Sequence, residues 1–273
     1  MKISVIIPTY KPRDYLWECL DSLVAQTFPK MDFEVILVLN GCTEPYKSAI
    51  ERYIAEKMNS MNINFIYTET GGVSNARNLA LDEVKGEFIT FIDDDDFVSP
   101  LFLEQLYDKA DSETISLCYP YAFNDGKIDV AIPYSIRTVY EELSSKTNIK
   151  ITSKLRKYFS GPCMKLIPMS FIQERRFDVR FKNGEDSLFM FLISDKFKKF
   201  AFTNKNAIYY RRYREGSAVT TKRRKLDIIK NGVAQMCILF KYFITNPFKY
   251  NWIFFSTRLL ASIHGIIYYS KNT

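Results

Sequence analysis

With 273 residues, 47% hydrophobic and 15% aromatic, the chain has material for a sizeable packed core, which excludes a disordered or low-complexity protein. A formal net charge of +7 points to an anionic partner, and the excess falls late, at Lys196, Lys198, Lys199, Lys205, Arg211, Arg212, Arg214, Lys222, Arg223, Arg224 and Lys225. Five cysteines without CxxC spacing exclude a disulfide framework and a zinc cluster, and predict a reducing compartment.

The opening MKISVIIPTYKPRDYL has too short an apolar run for a signal peptide, so the mature chain is expected to begin at Met1, with ISVIIP as its first strand. Leu16, Cys19, Leu20, Leu23 and Val24 then recur at helical spacing, and FEVILVL reads as a second strand buried on both faces. Thr43-Glu44-Pro45 starts a helix carrying Tyr46, Ile50, Tyr53 and Ile54, followed by the similar strand INFIY. A third helix, from Ser74 to about Val84, precedes the fourth strand GEFITFI. This βαβαβαβ order predicts a parallel, doubly wound sheet whose ligands bind at the carboxyl ends of the strands. The loops PTYKP, NGCTEP, TGGVSNARN and DDDDF should therefore meet at one rim.

Beyond about residue 111 the pattern is irregular, with mixed strands such as TISLCYPYAF. FKNGEDSLFMFLI reads as an acidic pair opening a very apolar helix, and AIYYRRYREGSAV as a strand entering a basic loop. Two helices follow from Arg223, separated near Asn246-Pro247; Leu226, Ile229, Val233, Cys237, Phe240 and Ile244 line one face of the first, and Trp252, Phe254 and Phe255 enrich the second. The most apolar window, Tyr250 to Tyr269, is interrupted by Arg258 and His264, so no membrane span is expected.

The acids Asp93, Asp94, Asp95 and Asp96 at the fourth strand's end carry the chemistry. Two carboxylates about 4 Å apart repel by about 4 kcal/mol near a protein surface, so something positive is required there. An EF-hand fails, because Phe97 stands where a ligand is needed and Val98 where glycine is needed. A nucleotidyltransferase lacks its Gly-rich loop, whereas a phosphatase with an aspartyl nucleophile remains a competitor. A metal-diphosphate site explains more: Asp93 and Asp95, two residues apart, can reach the same side and share a divalent ion with a leaving group.

The motifs VIIPTY, QTFPKMDFEVILVLNGCTE, GGVSNARNLAL, GEFITFIDDDDFVSP, CMKLI, GEDSLF and YYRRYREGS together resemble glycosyltransferase family 2, whose fold is called GT-A. The resemblance covers residues 2 to 110 closely and 160 to 217 more loosely. It implies an α/β, Rossmann-like, mostly parallel sheet with an irregular acceptor-side half and C-terminal helices. Residues 1–110 would bind the nucleotide sugar, 111–220 would form the acceptor-binding and catalytic half of the same domain, and 221–273 the basic, aromatic helices.

By the same resemblance, Pro8, Thr9 and Tyr10 match the segment lining base and ribose, and Arg77 a residue near the nucleotide or its diphosphate. Asp93 and Asp95 match the DxD pair; Asp95 is the best candidate for the direct metal ligand, with Asp93 and Asp94 on the ribose and around the ion. Asp186 matches the catalytic base, Glu185 its acidic neighbour, and Arg211, Arg214 and Ser217 the loop closing over the diphosphate. Leu39 stands where many members carry the aspartate that reads uracil, leaving Asn40 to supply part of base recognition, and Lys11 stands where asparagine is common. The implied enzyme is an inverting hexosyltransferase of cell-surface polysaccharide synthesis. It uses Mg²⁺ or Mn²⁺, a nucleotide-diphosphate sugar, with UDP-sugars favoured, and a saccharide or lipid-linked saccharide acceptor.

On physical grounds, a carboxylate within about 3 Å of an acceptor hydroxyl can take its proton as the C1 bond forms. The only histidine, His264, lies in the terminal segment and is left structural with Cys163 and Lys165. For the C-terminal helices two readings stand: Arg223, Arg224 and Lys225 beside Phe240, Tyr242, Phe243, Trp252, Phe254 and Phe255 hold a cytoplasmic enzyme at the inner, anionic membrane face, or the aromatics pack on the domain. The acid cluster argues against a nucleic-acid-binding module, which would use the same basic excess.

Overall fold

The computed structural model describes residues 1–214 and 224–271. The first half forms β1 (Ile3–Thr9), α1 (Tyr15–Val24), β2 (Phe33–Asn40), α2 (Tyr46–Lys57), β3 (Asn62–Thr68), α3 (Val73–Asp82), β4 (Phe88–Phe91), β5 (Phe97–Val98) and α4 (Phe102–Asp108). The second contributes β6 (Thr114–Leu117), β7 (Tyr119–Asn124), α5 (Ser135–Leu143), β8 (Lys165–Pro168), α6 (Met169–Ile172), α7 (Glu185–Leu192), β9 (Lys199–Phe202) and β10 (Ile208–Tyr213). Two long helices, α8 (Lys225–Thr245) and α9 (Trp252–Lys271), complete the described chain.

Seven strands make one mixed sheet in the order β3-β2-β1-β4-β8-β6-β9. β1, β2, β3 and β4 are parallel neighbours, and β1 and β2 are buried along their whole length because helices cover both faces. Leu16, Cys19, Leu20 and Leu23 of α1 and Ala76, Ala80 and Leu81 of α3 supply that cover, as their spacing predicts. β3, expected to be buried like β2, is half-buried throughout because it is the sheet's edge.

β8 runs antiparallel to both β4 and β6, so one continuous sheet joins the two halves of the chain. TISLCYPYAF resolves into β6 and β7, which serve different sheets. β7 joins β5 and β10 in a three-stranded sheet, with β10 parallel to β7 and antiparallel to β5. That small sheet brings the arginines of β10 beside the acidic loop between β4 and β5.

The terminal helices form a hairpin on the α/β body. Gly232 permits the close approach, since a Cβ there would stand 2.4 Å from Ile266 Cγ1. Phe254 and Phe255 are buried; Phe254 packs near Phe159, Phe191 and Phe197, and Phe255 stacks on Phe243 at 4.0 Å. Among the described residues no helix is long and apolar enough to cross a membrane.

Candidate active site

Four rim loops are fastened together before any charge is considered. The Thr9 hydroxyl donates to Asp94 Oδ2 at 2.5 Å, the Asn40 amide donates to the Thr9 carbonyl at 2.8 Å, and the Gly72 N–H donates to Asn40 Oδ1 at 2.8 Å. Gly41, at φ +65°, lies so near the next loop that a Cβ would fall 2.7 Å from Gly71 Cα, a position only glycine can fill. Tyr10 stands at the mouth with 52% of its surface exposed, and Lys11 Nζ lies 5.3 Å from the centre of its ring. Lys11 itself has φ 46°, the left-handed region that asparagine tolerates better. Lys11→Asn is therefore expected to stabilise the fold by about 0.5–1 kcal/mol, read as a higher denaturation midpoint in urea; an unchanged or lower midpoint would count against local strain.

Each member of the acid quartet has a donor or cation. Asp93 Oδ1 pairs with Arg77 Nη2 at 3.0 Å, Asp94 accepts from Thr9, and Asp95 Oδ2 pairs with Arg214 Nε at 2.7 Å. Asp96 is buried and accepts the Arg212 backbone N–H at 2.7 Å. Burial still pushes the Asp94 carboxyl up to about 7, against the Thr9 hydrogen bond and with Asp95 and Asp93 adding to it. Burial and then Asp93 likewise raise Asp95, although Arg214 opposes them. The cluster is held together yet remains short of positive charge.

Arg77 links this cluster to a distant carboxylate. Its side chain is 3% exposed, with one guanidinium nitrogen on Asp93 and another, Nη1, on Asp186 Oδ1. Burial lowers the Arg77 guanidinium, but Asp186 and Asp93 more than reverse it and hold it above its ordinary value. Asp186 sits in the first turn of α7, behind Gly184 in a left-handed conformation, and its side chain keeps 30% exposure. Burial raises the Asp186 carboxyl despite Arg77, and burial followed by Asp186 pushes Glu185 up to about 7. Asp186 is thus a carboxylate fixed by one arginine, open on one side, with its basicity increased.

β10 closes the other flank. Its twofold alternation sends consecutive arginines to opposite faces. Arg211 lies toward Tyr134, Asp96 and Asp93. Arg212 reaches Glu18 and, at 2.7 Å, Asp125, while its Nε donates to the Asp95 carbonyl at 2.9 Å. Arg214 stacks over the Tyr15 ring, 4.7 Å from its centroid, while it pairs with Asp95.

The predicted residues divide by position. Tyr10, Asp93, Asp94, Asp95, Asp186, Glu185, Arg77, Arg211 and Arg214 converge on one rim. Pro8 and Thr9 are buried within β1, where Thr9 positions Asp94 and Asn40, so neither lines an open base pocket. Asn40 is also buried, its amide bonded to Thr9 and Gly72, which makes it a fastener of loops. Leu39 is fully buried within β2. Arg77 reaches the acids and is almost closed to solvent. Ser217 and Arg223 lie outside the described residues.

Other residues at the site carried no sequence signal beyond their type. Arg212 read as one cation in a basic run. Lys165 is fully buried and donates to the Gly161 carbonyl at 2.7 Å and the Cys163 carbonyl at 2.5 Å; a Cβ on Gly161 would stand 3.6 Å from Asp186 Oδ2. A hollow of about 200 Å³ beside the rim is lined by Arg13, Trp17, Pro45 and Tyr46.

Asp95 and Asp93 offer the hard oxygen donors that Mg²⁺ or Mn²⁺ takes, but among the described residues no three His, Cys, Asp or Glu side chains form a cage of their own. The donor set fits an ion completed by phosphate oxygens, and the Asp95 carboxyl, raised by burial and by Asp93, leaves room there for added positive charge.

An open α/β sheet carrying a carboxylate cluster at a strand's carboxyl end, with a further carboxylate tethered to it, is the layout expected of a GT-A transferase, and the solved structures it matches have that fold. The chain superimposes over its full length on crystal structures of TarS from Staphylococcus aureus: the complex with UDP-GlcNAc has a TM-score of 0.74 at 24% identity over 74% of that chain. The complex with UDP has a TM-score of 0.66 at 25% identity, covering 88% of this chain and 65% of that one. A mannosyltransferase from Pyrobaculum calidifontis, solved with GDP-Man and Mn²⁺, matches with a TM-score of 0.62 at 19% identity over 99% of this chain and 73% of that chain. The family model for glycosyl transferase family 2 matches residues 4–176, and the chain belongs to that family. The match stops short of α7 and so does not reach Asp186. In sequence, the S. aureus poly(ribitol-phosphate) beta-N-acetylglucosaminyltransferase TarS is 29% identical over 226 residues, 81% of this chain and 37% of that protein. The chain spans about a third of the length of such relatives. Family membership sets aside the phosphatase and nucleic-acid readings.

Proposed function

We propose that this chain transfers a sugar from a nucleotide-diphosphate sugar to a hydroxyl of a cell-surface polymer in one inverting displacement. The observation that carries this reading is the Arg77 bridge, which ties Asp186 to the same acidic cluster that would receive the diphosphate. Asp186 takes the proton from the acceptor hydroxyl as that oxygen attacks the anomeric carbon, and the nucleoside diphosphate leaves from the opposite face. Asp95, with Asp93, would hold Mg²⁺ or Mn²⁺, which when bound neutralises charge on the leaving diphosphate. Arg214 and Arg211 border the same cluster and can follow the phosphates, and Tyr10 offers an exposed ring for stacking on the base.

UDP-sugars are favoured because the related TarS was solved with UDP and with UDP-GlcNAc. A hydroxylated, phosphate-containing polymer is the favoured acceptor class because that relative acts on poly(ribitol phosphate). In this reading residues 1–110 serve the donor, 111–220 the acceptor and base, and the C-terminal helices a cytoplasmic, anionic membrane face.

Thermal unfolding with UDP, GDP, CDP and dTDP, each with and without Mn²⁺, tests the donor site. A nucleotide at a hundredfold its dissociation constant adds about 2.7 kcal/mol. The expected result is a metal-dependent shift with UDP, lost in Asp95→Asn; no shift with any nucleotide would overturn the donor assignment.

A further inference from the structure

The stripe Leu226, Ile229, Val233, Cys237, Phe240 and Ile244 recurs every three or four residues, a pattern that ordinarily marks a buried helix face. In α8 it points outward: its five large apolar members are between 41% and 69% exposed, and Cys237 is exposed. α8 meets the body through the opposite face, where Gln235 and Leu239 are buried and Asn231 donates to the Asn183 carbonyl at 2.9 Å. α9 repeats the arrangement, burying Phe254 and Phe255 while exposing Ile253, Leu260 and Ile263. At the turn between the helices Phe248 is 102% exposed, next to exposed Trp252.

Charge identifies what covers this face. Residues 224–271 carry seven basic side chains against the single acid Asp227, which Arg224 already neutralises at 2.9 Å. Lys230 and Lys241 are exposed and fall beside the α8 stripe at 100° per residue. A second copy of the chain would bring two such basic surfaces together, whereas anionic lipid headgroups would neutralise them. Apolar residues outward and lysines at their flank are the pattern of a helix lying in the membrane interface, and α8, about 30 Å long, is too interrupted to span one.

We propose that the α8–α9 hairpin is an in-plane docking surface for an anionic bilayer, with Phe248 and Trp252 at its leading turn and Lys230 and Lys241 at the headgroups. This deepens the membrane clause of the functional reading and is independent of the sugar chemistry. The aromatics split between the two sequence-based readings: Phe243, Phe254 and Phe255 pack inside, while Phe240 and Trp252 rest one edge on Phe255 and leave the rest exposed.

The test is sedimentation of the whole chain with vesicles of phosphatidylglycerol and phosphatidylcholine against phosphatidylcholine alone. Binding to the anionic vesicles only, weakened by salt, is expected. Lys230→Gln with Lys241→Gln should lower partitioning roughly thirtyfold, and Ile229→Glu with Val233→Glu should abolish it while the UDP-dependent thermal shift persists. A bimane probe on Cys237, in a Cys42→Ser background, should shift to the blue with anionic vesicles and so reports on the stripe with its five large apolar members unchanged. No sedimentation and no probe shift would overturn the proposal. So would a concentration-dependent dimer, dissociated by Ile229→Glu with Val233→Glu, that ignores vesicles. Failure here leaves the nucleotide experiment untouched.

Discussion

Arg77→Met is expected to lower folding stability by about 3–5 kcal/mol at neutral pH, the largest loss for a single site residue. The reason is the two carboxylates left behind. Asp93 and Asp186 face the same guanidinium from chain positions far apart, and Arg77 is almost fully enclosed, so water cannot replace it without rearrangement. The loss should shrink in acid. Without its cation the Asp186 carboxyl, already raised by burial, titrates higher still in the folded state, so the penalty fades as pH falls from that raised value toward the ordinary carboxylate value of about 4. Urea unfolding at pH 7 and at pH 4 measures both. Arg77→Lys should fall between, keeping charge but losing the two-pronged geometry. Combining Arg77→Met with Asp186→Asn should recover part of the loss, because one buried charge disappears with its partner. A loss below about 1 kcal/mol at neutral pH would mean that the bridge is not a structural link.

Asp186→Asn should lower kcat by about 10²–10⁴ while leaving nucleotide affinity nearly unchanged. The side chain keeps its shape and its contact side toward Arg77 but can no longer accept a proton. Wild-type activity should fall as pH drops, with a midpoint above the ordinary carboxylate value, because burial raises Asp186 despite Arg77. Glu185→Gln should cost less, since Glu185 is buried beside the base and acts on it through charge. Steady-state rates across pH for the three proteins, alongside nucleotide binding, separate a lost base from a lost donor site. Equal losses in kcat and nucleotide affinity for Asp186→Asn would assign Asp186 to the donor.

Local pattern made much of this visible before the fold was known. Continuous apolar runs marked β1, β2 and β4, helical spacing marked α1, α2 and α3, and their alternation placed four loops on one rim. What stayed hidden depends on long-range contact. Nothing in ARN or GED says that Arg77 reaches across 109 positions to Asp186, because periodicity reports only a residue's own element. The resemblance placed Asn40 and Thr9 at the nucleotide, yet in the fold the Asn40 amide is taken up by the Thr9 carbonyl and the Gly72 N–H, and the Thr9 hydroxyl by Asp94. Arg212 differs from Arg211 only by strand alternation in a sheet whose partners, β5 and β7, lie far away in sequence. The α8 stripe was evident as a pattern, but only packing shows that it faces outward.

The central claim is a single displacement with Asp186 as base, and the anomeric configuration of the first product tests it most directly. NMR of the glycosylated acceptor, formed from a UDP-α-sugar before any equilibration, should show the β-anomer. An α-linked product would mean retention, which one attack by a hydroxyl activated at Asp186 cannot produce.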